Sequence, residues 1–147
     1  MMVHTGKFTI IPIISLFTAL PLVAQVTVEV TLAGYNHRPI VHTPATGFIQ
    51  VTFENDSLYV EGEFFDLRGS YWASFIHYGE PGKSGHRMFR LKAELGEDKH
   101  SGVFRKEDNA FKLTEAQMDA LRKGHLYINI SSSRFQHGEI RGQIPMM

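Results

Sequence analysis

Apolar residues recur at every second position in stretch after stretch of this chain, and that spacing constrains the fold most. Only a pleated strand sends alternate side chains to opposite faces. Val26, Val28, Val30 and Leu32 alternate with Thr27, Glu29 and Thr31 up to Gly34. GFIQVTFE puts Ile49, Val51 and Phe53 on one face, and LYVEGEFFDL does the same with Leu58, Val60 and Phe64. Gly62 stands where that face should carry a side chain, which predicts a bulge or a close neighbour. MFRLKAEL aligns Phe89, Leu91, Ala93 and Leu95; HLYINI turns in Leu126, Ile128 and Ile130; GEIRGQI turns in Ile140 and Ile144. YWASFIHY has two usable faces, Ala73, Phe75 and His77 against Trp72, Ser74, Ile76 and Tyr78, and its period does not choose between them.

The intervening segments are punctuated by turn chemistry. Pro39 and Pro44 in YNHRPIVHTPAT withhold ladder donors and predict an irregular arm or edge segment. Asn55-Asp56 predicts a turn, and GEPGKSGH a wide exposed loop. HSGVFRKEDNAFKL is polar apart from Val103, Phe104 and Phe111 and predicts a short strand plus loop. One helix is signalled: Thr114 and Gln117 form a capping box, Leu113 and Met118 a hydrophobic staple, and Gly124 a left-handed stop. With Ala116, Met118, Ala120 and Leu121 as its apolar residues, it reads as a surface crossover without deep packing. About seven or eight short strands and one short crossover helix predict an all-β sandwich or closed barrel.

The first residues stand apart from this pattern. MMVHTGKFTIIPIISLFTALPLVAQ joins a short basic start at Lys7 to an apolar run ending in small residues, as a secretory signal peptide does. A membrane anchor is the alternative, but the 17 residues between Lys7 and Gln25 contain Pro12 and Pro21 and fall short of the roughly 20 that a spanning helix needs. The division expected is a signal peptide over residues 1–24 and one β domain over 25–147, exported to the periplasm, cell surface or medium. A membrane association is expected only if the leader is retained. Without Lys7 the chain keeps 14 basic against 15 acidic residues, scattered among one another. That offers a polyanion no basic stripe, so nucleic acid is not an expected partner. The absence of cysteine excludes disulfides, a thioether lipid anchor and thiolate metal sites.

The pieces LAGYNHRPIVHTPATGFIQV, FIHYGEPGKSGHRMFRL, FKLTEAQMDALRKGHLYINI and GEIRGQI, in this order, resemble the CHRD domain, the repeat of the BMP antagonist chordin that also occurs singly in bacterial exported proteins. The resemblance runs from about Val26 to Ile144. It is most specific where LxxGxLYxNI precedes GEIRGQI, on Leu121, Gly124, Leu126, Tyr127, Asn129, Gly138, Glu139, Arg141, Gly142 and Gln143. It implies an immunoglobulin-like β fold with a distant likeness to copper/zinc superoxide dismutase, and no established activity for single-domain bacterial members. Two positions depart from the family pattern. FIHYGEP stands where HIHGPA is common, and Ser131 stands where a histidine is common, so each change removes an imidazole.

Within GEIRGQI the period of two puts Glu139, Arg141 and Gln143 on one face, where a neighbouring HLYINI strand would add Tyr127 and Asn129. An Arg141–Glu139 ion pair there is expected to fix strand register rather than to act in catalysis, since one Glu beside one Arg supplies neither nucleophile nor tuned base. A copper or zinc centre needs about three or four converging imidazoles or carboxylates. His77, His86 and His137 are weak candidates for one, and the expectation is no metal and no cofactor. No G-x-S-x-G elbow is present, Ser131, Ser132 and Ser133 read as a polar turn, and KEDN is too thin for a calcium loop. Glu61 and Glu63 sit side by side on one strand face, not opposed as in a glycosidase. The aromatics Tyr59, Tyr71, Trp72 and Tyr78 offer a glycan-stacking platform, with packing as the plainer alternative. The expectation is a non-catalytic module for an unidentified protein or glycan, binding through Trp72, His77, Tyr78, Glu80 and His86 around the Gly79–His86 loop. The alternative is a copper- or zinc-binding redox domain.

Overall fold

The alternating stretches form antiparallel strands in a computed structural model that describes residues 1–3, 20 and 24–147. The expected signal peptide falls almost wholly outside the described residues, among which no helix is long and apolar enough to cross a membrane. The strands are β1 (Gln25–Ala33), β2 (Thr46–Glu54), β3 (Ser57–Phe65), β4 (Tyr71–Tyr78), β5 (Arg87–Arg90), β6 (Ala93–Leu95), β7 (Gly102–Phe104), β8 (Ala110–Lys112), β9 (Leu126–Ser132) and β10 (Ile140–Ile144). The helix α1 (Glu115–Arg122) separates β8 from β9. The sheet runs β5-β4-β9-β10-β1-β2-β3-β7-β6, with β8 also paired to β3. Among the described residues the architecture is therefore all-β with one short α-helix, with more strands than the sequence predicts, because the weakly patterned stretch from 101 to 113 supplies both β7 and β8.

MFRLKAEL is not one strand. Its halves lie at opposite edges of the sheet, β5 beside β4 and β6 beside β7, with only Leu91 and Lys92 between them. At this corner the Leu91 N–H still donates to the Ser74 carbonyl at 2.9 Å, while the Lys92 N–H turns to the Asn109 side-chain oxygen at 2.7 Å. The Asn109 amide then donates to the carbonyls of Lys92 and Arg105, both at 3.0 Å. Asn109 is fully buried, and its satisfied hydrogen bonds are what make a buried amide tolerable. The sheet curls so far that Phe89 of β5 stacks on Phe111 of β8 at 4.6 Å, bringing the two ends together.

The curl encloses one core. Leu32, Ile49, Val51, Leu58, Val60 and Phe64 meet Ile76, Ile128, Ile130, Ile140 and Ile144 there. Each such side chain contributes about 1.5–3 kcal/mol on burial. The inner face of β1 is buried only at Val30 and Leu32; Val28 is half-buried and Val26 exposed. The cause is register, since β10 pairs with β1 only at Ala33. Gly62 has the close neighbour that its place in the pattern predicts, for at φ +144° any Cβ would collide with the Phe48 carbonyl and Ile49 Cα on β2.

The capping box of α1 forms as expected, with the Gln117 N–H donating to the Thr114 hydroxyl and the Thr114 N–H donating to the Gln117 side chain. The helix nonetheless contributes to the core, against the expectation of a shallow crossover: Met118 and Leu121 are both buried in it. Of the two expectations for the segment that holds Pro39 and Pro44, the irregular arm is observed and the edge strand is not. The edges belong to β5 and β6, and the arm instead lies over the outer face of β9 and β10.

Candidate functional site

The faces of β4, β9 and β10 opposite the core carry the polar residues. Register aligns His77 with Tyr127 and Gln143, and Phe75 with Asn129 and Arg141, in two rows across three strands. A bulge between Tyr71 and Ala73 settles the ambiguous faces of β4: Ala73, Phe75 and His77 look outward, while Tyr71 turns into the core onto Phe64 at 5.6 Å. The outward residues are nevertheless covered, Asn129 and Arg141 being 8% and 3% exposed. The cover consists of the Gly79–His86 loop and the arm around His37.

Each polar side chain in the two rows is spent on holding that cover. The Arg141 guanidinium lies 3.6 Å from the centre of the Tyr127 ring, and its Nη2 donates to the Lys83 carbonyl at 2.7 Å and the Gln143 side chain at 3.2 Å. Gln143 donates to the carbonyls of Gly79 and Gly124, both at 2.8 Å. The Tyr127 hydroxyl accepts from the Gly85 N–H at 3.1 Å, and His77 Nδ1 donates back to the Gly85 carbonyl at 3.0 Å. On the arm side, Asn129 accepts from His37 Nε2 at 2.9 Å and donates to the His137 carbonyl at 3.1 Å. Gly138 is glycine because its φ is +139° and a Cβ would strike both Asn129 Oδ1 and the His37 ring. Gly142 lets β10 approach Val30 and Leu32 of β1 for a related steric reason.

The expected Arg141–Glu139 pair does not form. Glu139 is fully buried just before β10, and its Oε1 accepts from the Thr43 hydroxyl at 2.5 Å and the Arg68 N–H at 2.7 Å. The shared face that period two predicts brought the residues close in sequence register, but the irregular segments on either side offer each of them nearer partners. The carboxylate ties down the arm and the turn before β4, and the guanidinium ties down the loop after it.

The other expected surface residues are dispersed. Trp72 is 58% exposed near the start of β4, whereas Tyr78 ends that strand half-buried against the core, so the two do not form one rim. The same bulge that sends Tyr71 inward leaves Trp72 outside. Tyr59 is on β3, under the Lys106 ammonium, and joins no aromatic platform. Glu80 pairs with Lys83 at the exposed loop surface, and His86 is exposed. Among the described residues no three His, Asp or Glu side chains converge as metal ligands, so His77, His86 and His137 are not brought together.

Between the arm, the loop and β4 a cleft of about 540 Å³ opens over these rows. Its wall includes Arg38, Arg87, Arg134 and Arg141 with His37, His77 and His137, and no Asp or Glu. Arg87 lies over the Phe75 ring at 4.4 Å. Burial pushes the pKa of both His37 and His77 below the usual imidazole value, and the Arg141 charge adds to the shift in each. His77 Nε2 is buried without a hydrogen-bond partner. A second groove, of about 600 Å³ on the outer face of β1, β2 and β3, is mixed in charge, with Glu29, Glu61, Glu63 and Glu107 beside Arg105 and Lys106 in its wall. Sequence reasoning missed the cleft arginines because Arg38, Arg87 and Arg134 come from three unrelated loops and strand ends. The LYxNI and GEIRGQI motifs were the signal that pointed to its floor.

Comparison with curated proteins and with solved structures returned no match. The CHRD domain profile matches residues 28–144, from β1 through the end of β10. That span includes all of the curled sheet except the first three residues of β1, and every residue of the two polar rows, and the chain belongs to the CHRD domain family.

Proposed function

We propose that this protein is an exported, non-catalytic CHRD module that acts through binding at the cell envelope or outside it. The observation that carries the reading is the use made of the motif residues. Tyr127, Asn129, Arg141 and Gln143 all direct their polar atoms to the backbone or side chains of the segments that wall the cleft. A preorganised wall favours binding because little ordering remains to be done when a ligand arrives. Chemistry would need a nucleophile beside a base, and Glu139 lies outside the cleft wall, buried and held through Oε1 by Thr43 and Arg68. The immunoglobulin-like arrangement implied by the family belongs to this proposal, resting on the family alone, since the Leu91–Lys92 corner joins the two ends of one curled sheet.

The test pairs binding with turnover. Immobilised wild-type chain should retain an envelope protein or glycan that Arg87→Ala/Arg134→Ala loses, with no consumption of the retained partner. Chemical conversion of that partner would overturn the non-catalytic reading. The redox alternative has one free imidazole nitrogen in its favour and no converging ligand set among the described residues. Near-stoichiometric copper or zinc in the purified chain, lost in His77→Ala, would restore it.

A further inference from the structure

We infer that the cleft binds a hydroxylated carboxylate of the sugar-acid type, with Arg87 and Arg134 taking the carboxylate and His77 taking a hydroxyl. This rests on the reading of the cleft as the binding surface and specifies what it binds. The charge is local: the chain is neutral overall, yet the cleft wall has four arginines and no acid. None of those four takes part in the ion pairs present among the described residues; Arg38 and Arg141 are held by backbone carbonyls, which leaves Arg87 and Arg134 to meet a ligand. Arginine rather than lysine supplies this charge, and a planar fork suits the two oxygens of a carboxylate.

The second requirement comes from His77, which is 9% exposed and lines the cleft. A carbonyl only accepts, so the bond to Gly85 places the proton on Nδ1 and leaves Nε2 as an acceptor. That Nε2 has no donor in the protein. A carboxylate or sulfate cannot supply a proton at neutral pH, whereas a ligand hydroxyl can. Phe75 adds an apolar wall between Arg87 and the row of Asn129 and Arg141. The volume of about 540 Å³ lies in the range of roughly 300–1,000 Å³ typical of small-molecule sites. An anion that carries hydroxyls on a compact ring meets all these conditions together.

Isothermal titration of the full chain with galacturonate, glucose, acetate and sulfate tests this, with oligogalacturonate as a further arm. Galacturonate should bind, while glucose, lacking the charge, and acetate, lacking the hydroxyls, should each bind at least tenfold more weakly. Arg87→Gln and Arg134→Gln, which break no hydrogen bond of the fold, should each weaken galacturonate at least tenfold with unchanged thermal unfolding. Tighter binding of the oligomer than of the free acid would assign the ligand to a polysaccharide end, and equal binding to a free sugar acid; both support the site. Sulfate binding as tightly as galacturonate would overturn the hydroxyl-to-His77 contact. No uronate binding alongside retention of another partner by the same cleft would overturn the ligand class and leave the binding module standing. Uronate binding followed by its conversion would keep the site and overturn the non-catalytic reading.

Discussion

Arg141 is buried without a carboxylate, and its charge is answered by carbonyl dipoles and by the face of Tyr127. Hydrogen bonds to a charged group contribute about 1.5–3 kcal/mol net, so Arg141→Ala should lower stability by about that amount in urea unfolding. Unchanged unfolding would remove the clamp role assigned to it. The histidines beside it give a pH dependence whose sign follows from burial. His37 and His77 titrate below their usual 6.5 when folded, so the unfolded chain takes up protons first. Their contribution to stability is complete above that value and is lost as pH falls through the folded values. The urea midpoint should therefore drop between about pH 7.5 and pH 5.5, and His37→Gln/His77→Gln should flatten the drop. Here the sequence was legible in part. GEIRGQI marked Glu139, Arg141 and Gln143 as a set, but side-chain partners lie up to 105 positions away in the case of Asn36 and Arg141, and no local pattern names them.

Among the elements, the β5–β6 corner and the cap of α1 make a useful contrast. The cap is local: Thr114 and Gln117 find each other within one turn, and the sequence predicted both bonds. Thr114→Ala should cost about 0.5–2 kcal/mol. The corner is not local, since Asn109 satisfies Lys92 and Arg105 from across a change of sheet edge. Asn109→Ala leaves buried backbone groups unpaired and should cost about 1–3 kcal/mol, seen as a lower thermal midpoint with the cleft still formed. A period-two reading cannot detect such a corner, because Phe89, Leu91 and Ala93 keep their alternation while the strand changes partner. The bulge at Tyr71–Ala73 escaped for the same reason: it reverses which of Tyr71 and Trp72 is inside without leaving a mark in composition.

At the scale of the molecule, a neutral total conceals one cluster of arginines without acids. The sheet curls around one core and leaves an outer face with an arginine-walled cleft at β4, β9 and β10 and a groove of mixed charge at β1, β2 and β3. Export is the remaining expectation at this scale. N-terminal sequencing of protein recovered from an exported fraction should begin at Gln25, and a chain that retains Met1 in the membrane fraction would replace the signal peptide with an anchor.

The sequence by itself determined the all-β class, the single helix with its cap, the inward-facing isoleucines and valines, and the family. These rest on the two-residue period, on contacts within one helical turn, or on a motif contiguous in the chain. The tertiary structure alone decided that the strand at MFRLKAEL divides between two edges, that Glu139 and Arg141 turn to different partners, and that four arginines from separate segments share one cleft. Those outcomes depend on sheet order and on how two irregular segments fold back over three strands. Long-range register of that kind carries no periodic signature in the chain.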